Sequence, residues 1–162
     1  MVVADDPSTS LIVGVACSAT LAWVCVTDLR ERLIPNRALI FGAAPVLVSI
    51  AAISPEILPG RFLWAFVGSL PFTLISWFRP EAMGMGDAKL VAFLGLCLGP
   101  AVVTAVICAL VAGGLAAGLL FARRGLAARK ATIPFAPYLA LGAVLGAIGS
   151  GWGPQITHMA SS

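Results

Sequence analysis

The chain has 162 residues, of which 60% are hydrophobic and only 10% charged, with a net charge of +3 and a mean hydropathy of +1.02. A soluble domain carries roughly 25% charged residues, so this chain has too few to wet the surface of a globule. That excludes a soluble enzyme, a nucleic-acid binder and a disordered chain, and leaves an integral membrane protein.

A spanning helix needs about 20 mainly apolar residues. Six spans leave only loops, so residues 1–162 read as one membrane domain with any chemistry on the helices or at their ends. Ionisable residues are absent from 11–27, 38–55, 62–78, 90–122 and 131–157. Backbone groups in lipid must be hydrogen-bonded internally, so each stretch is expected to be helical and the fold all-α. The fourth stretch is too long for one span and breaks at Gly99-Pro100, a turn signal.

In chain order the predicted helices lie near 10–28, 37–53, 61–78, 87–98, 101–121 and 133–150. The acidic, Lys- and Arg-free start of the chain is the reverse of a signal peptide's basic leader, so the first helix is expected to be retained. Several helices are short for a bilayer of about 30 Å, and the fourth is expected to sit among its neighbours without fully spanning. Small residues recur at helical spacing in Gly95-x-x-x-Gly99, Gly114-x-x-x-Gly118 and Gly142-x-x-x-Gly146. Such pairs let helix backbones approach closely, and at least one is expected to lie in a helix contact.

Charge sets the orientation. Arg30, Arg32, Arg37, Arg79, Lys89, Arg123, Arg124, Arg129 and Lys130 fall in or beside the first, third and fifth loops, and only Arg61 lies on the other side. The excess of Lys and Arg on cytoplasmic loops then puts both termini outside. The run Arg123, Arg124, Arg129 and Lys130 is expected to hold the fifth loop against anionic lipid.

Cys17, Cys25, Cys97 and Cys108 form no C-x-x-C pair and all lie in apolar stretches, so they read as small hydrophobes. His158 is the single histidine, and no metal site is expected. Asp5, Asp6 and Glu56 read as solvated charges. Asp28, closing the first helix, and Asp87, opening the fourth, adjoin apolar helices on the same side of the membrane, where an ionisable group is a functional candidate.

Two neighbouring carboxylates share a proton, so one can activate water while the other protonates a carbonyl oxygen. Gly84 and Gly86, lacking Cβ, would let a substrate backbone come close to Asp87. The bland alternatives are an Asp28–Arg32 pair at i+4 and an ordinary N-cap at Asp87. Helix dipoles would make Asp87, at a helix N-terminus, the base and Asp28, at a C-terminus, the acid. Lys89 either stabilises a carboxylate or snorkels to the interface.

The segment Asp28-Leu29-Arg30-Glu31-Arg32-Leu33-Ile34-Pro35-Asn36 resembles the first motif of the type IV prepilin peptidases. Gly84-Met85-Gly86-Asp87-Ala88-Lys89-Leu90 resembles their second, the G-x-G-D of intramembrane aspartic proteases. The run Ile133-Pro134-Phe135-Ala136-Pro137-Tyr138 is similar to the family's closing segment, usually with Gly where Ala136 stands. The substitution is expected to touch no catalytic group.

The resemblance covers about 11–150. It implies an aspartic endopeptidase of the bacterial inner (cytoplasmic) membrane that works without metal or organic cofactor. Asp28 and Asp87 would be the catalytic pair, and Gly84, Gly86, Lys89, Pro35 and Asn36 would shape the site. The implied partners are pilin-like precursors with a cytoplasmic basic leader, cut after a small residue just before their apolar helix. The long members' cysteine-bearing N-terminal segment has no counterpart ahead of the first helix, so N-methyl transfer is not expected. The alternative is a non-enzymatic membrane subunit or small transporter, with the two Asp binding an ion or relaying protons.

Overall fold

A computed structural model describes residues 7–31, 33–79, 83–124 and 134–149. Among them are six α-helices: α1 (Pro7–Glu31), α2 (Asn36–Ile53), α3 (Leu58–Phe78), α4 (Met85–Leu98), α5 (Ala101–Arg124) and α6 (Ala136–Gly149). One 3-10 turn, Pro55–Ile57, joins α2 to α3. The all-α expectation holds, and four of the helical segments are long and apolar enough to cross a membrane. Large apolar side chains face outward all round the bundle. Ile40, Phe41, Trp77, Phe78 and Leu115 are each at least two-thirds exposed, as a lipid-facing surface requires.

The helices pair as neighbours in sequence, α1 with α2, α3 with α4 and α5 with α6. In lipid no hydrophobic force separates helix from helix, so close packing must hold the pairs. Glycine provides it at two of the three expected places. A Cβ on Gly95 would stand 2.5 Å from Ala65 Cα and 2.7 Å from the Trp64 carbonyl oxygen, so α3 and α4 touch backbone to backbone. A Cβ on Gly146 would lie 2.9 Å from the Ala101 carbonyl oxygen, and one on Gly142 would run into that of Ala105, which seats α6 on α5. Gly114 and Gly118 face open space.

The fourth helix is the hub. It packs against each of the other five and buries Ala88, Leu90, Val91, Phe93, Leu94, Gly95, Cys97 and Leu98. Its 14 residues span about 21 Å, which bears out the expectation of a short helix enclosed by its neighbours. Gly99 ends it at φ +59°, a backbone region costly for any residue with a Cβ, and its N–H bonds the Gly95 carbonyl. Cys17 of α1 and Cys97 of α4 are both buried in the core as free thiols.

One boundary expectation needs correction. Helix α1 continues through Glu31, so Asp28 lies within its last turn and does not close it. Arg61 falls at the start of the third helix, as expected. It sits in the first turn of α3, 7% exposed, and its guanidinium donates to the carbonyl oxygens of Cys97 and Leu96. Those carbonyls belong to the last turn of α4, which has no intrahelical donor for them. A buried arginine therefore caps the hub helix.

Candidate active site

Asp28 comes from the last turn of α1 and is 6% exposed. Its Oδ2 accepts a hydrogen bond of 3.0 Å from the backbone N–H of Ala136, across 108 residues of sequence. Ala136 is the first residue of α6 and is fully buried. Asp87 comes from the first turn of α4, where it is half-buried. Gly84, not Asp87, is the N-cap of that helix, which corrects the N-cap alternative. Asp87 instead sits three residues on, and its backbone N–H donates to the Gly84 carbonyl at 3.1 Å.

The fold brings the two acids together. α1 packs on α4, and Asp28 is near enough for its charge to act on Asp87. Both acids lie at the N-terminus of a 14-residue helix, Asp87 in the first turn of α4 and Asp28 against the first N–H of α6. The dipole argument for Asp87 as base and Asp28 as acid loses its premise, because both now lie at a helix N-terminus. Ala136 also corrects an expectation, since its backbone touches Asp28 directly. Arg32, the other suggested partner of Asp28, lies outside the described residues, as do Arg129, Lys130 and His158.

The residues expected to shape the site take different positions. Pro35 is the N-cap of α2, with φ −71° and ψ 125°, and Asn36 is the first residue of that helix. Lys89 points at neither acid, and its Nζ donates to Asn36 Oδ1 at 3.0 Å, so the two motifs share a side-chain bond. Gly86 makes a close packing contact. A Cβ there would stand 3.0 Å from Ile34 Cβ, pushing the two motif segments apart. Gly84 is exposed, and a Cβ on it would meet Asp87 Oδ2 only at 3.7 Å, so the open approach to the carboxylate lies on that side.

A groove of about 420 Å³ opens between α2 and α4. Asn36 and Lys89 stand at the end where both helices begin, and Leu39, Ile40, Ala43, Ala92, Phe93 and Leu96 make its walls apolar. Among the described residues no three His, Cys, Asp or Glu side chains gather as a metal-binding set.

The sequence profile of the type IV leader peptidase family matches residues 15–122, more than half of the chain and both carboxylates. The chain belongs to the type IV leader peptidase family. It is also 34% identical over 139 residues to the prepilin leader peptidase/N-methyltransferase of Bacillus subtilis (strain 168), an alignment covering 85% of this chain and 56% of that protein. The chain thus spans little more than half the length of this relative. No solved structure matches it. The closing segment and α6 fall outside the family match, so the Asp28–Ala136 bond is a feature of the structure alone.

Proposed function

We propose that the chain is a membrane-embedded aspartic endopeptidase that removes the leader from type IV pilin-like precursors, with Asp28 and Asp87 as its catalytic dyad. Family membership supports the reaction class. The observation that carries the dyad is the meeting of α1 and α4, with Asp28 held by the backbone N–H of Ala136 and Asp87 set in the first turn of α4.

In this reading the pair holds one proton between its two acids. The ionised member takes a proton from water as the water oxygen bonds to the scissile carbonyl carbon. The protonated member gives its hydrogen to the carbonyl oxygen. The tetrahedral intermediate then collapses, the C–N bond breaks, and the amine leaves with a proton from the dyad. The apolar groove beginning at Asn36 and Lys89 gives the precursor's apolar helix a place beside the carboxylates. Arg30 and Arg37 lie near the same end of the bundle, so the positive-inside rule turns the site toward the cytoplasm of a bacterial inner membrane, with both termini outside.

The test is co-expression with a pilin-like precursor in a host lacking such a peptidase, beside Asp28→Ala and Asp87→Ala chains. The parent should shorten the precursor and neither variant should do so. A single variant that still cleaves rules out the dyad. A correctly inserted parent that cleaves no precursor rules out the peptidase reading.

A further inference from the structure

The start of α6 offers one backbone donor, and that donor is spent on Asp28. A helix begins with N–H groups that have no intrahelical partner. In α6, Pro137 has no N–H at all, and the N–H groups of Tyr138 and Leu139 both bond the Phe135 carbonyl at 3.1 Å. Among the first residues of the helix itself that leaves the Ala136 N–H, which lies 3.0 Å from Asp28 Oδ2.

Phe135 holds this amide in place. Its ring packs on Phe72 of α3, with centroids 6.3 Å apart and planes tilted by 35°. On the α5 side a Cβ on Gly113 would be 3.5 Å from the same ring. The N-terminus of α6 is therefore seated between α3 and α5 before it reaches Asp28 on α1.

We infer that the Ala136 backbone N–H is a positioning group that fixes one oxygen of the Asp28 carboxyl, leaving Oδ1 to exchange the proton with water or with Asp87. The inference rests on the dyad reading for its consequence in catalysis, but the contact can be measured without cleavage. A residue that acts through its backbone tolerates Gly or Ala, provided the N–H stays.

The experiment replaces the amide at 136 by an ester, placing lactate there by suppressor-tRNA translation into lipid nanodiscs. The ester removes the N–H and weakens the Phe135 carbonyl as an acceptor for Tyr138 and Leu139, with side chains and backbone shape nearly conserved. Two properties are read. One is the infrared carboxyl band of [4-13C]Asp, assigned to Asp28 with Asp28→Asn. The other is kcat and KM on a reporter precursor made of a basic leader, a glycine and an apolar helix.

The expected result is a displaced Asp28 band and a kcat lower by about tenfold or more, with KM within about twofold. Ala136→Gly, which keeps the N–H, should hold kcat within about threefold. An unmoved band overturns the contact, and a moved band with unchanged kcat overturns its positioning role. A parent that leaves the reporter uncut while the ester still moves the band sinks the peptidase reading and upholds the contact. Should the ester chain fail to insert, Phe135→Ala withdraws the ring that seats the amide. It must lower kcat at constant KM, and an unchanged kcat overturns the inference.

Discussion

Helices α4 and α5 are adjacent in sequence, separated only by Gly99 and Pro100, and both are strongly apolar. Their places in the bundle could hardly differ more. α4 packs against all five other helices, whereas the buried residues of α5, Ala101, Val102, Ala105 and Ala109, all lie in its first half. Leu115, Leu119 and Phe121 in its second half face lipid. Apolarity says that a helix enters the membrane and nothing about its neighbours. What separates the two is where a side chain is missing: Gly95 of α4 receives a backbone, while Gly114 and Gly118 of α5 receive nothing.

Substitutions should expose that difference, and the largest effect belongs to Gly95. Gly95→Ala places a methyl group against the backbone of Ala65, which no rotamer change can relieve. It should cost roughly 1–3 kcal/mol, toward the upper end, read as a lower unfolding midpoint in detergent micelles. Arg61→Met comes next. It strips the last carbonyls of α4 of their donor at roughly 1–3 kcal/mol, and a midpoint equal to the parent's would show that α4 needs no cap. The smallest effect is expected at Gly114→Ala and Gly118→Ala, where nothing stands within 4 Å. Replacing an open helical glycine should be neutral or stabilising by up to about 1 kcal/mol. Destabilisation by either would mean that this face of α5 has a partner, such as a second copy of the chain.

Much of this arrangement is legible in the sequence. Six helices follow from gaps between charges, the break at Gly99-Pro100 is where expected, and Asp87 falls in the first turn of the hub helix. The pairings are not legible. Gly114-x-x-x-Gly118 and Gly142-x-x-x-Gly146 have the same spacing, yet only the second meets another helix, because a motif describes one face and not what stands opposite it. The bond from Ala136 to Asp28 is hidden more deeply. Its donor is a backbone group, and every residue except proline has one. Even Lys89, two residues from Asp87, turns to Asn36 because the side-by-side placement of α2 and α4 decides its reach.

The shortness of α4 and α6 has a consequence for the solvent. Each rises about 21 Å, some 9 Å less than the hydrocarbon thickness of a typical bilayer. Both begin at the carboxylates, and α1 continues about one turn past Asp28 to Glu31. Lipid that followed the helix ends would form a dimple there, floored by two helix N-termini and rimmed by the longer helices. The proposed hydrolysis needs water, and such a depression would supply it from the surface without a channel. The depth of the dimple is set by the acyl chains around it, which makes the length of the surrounding lipid a control on how wet the two acids are.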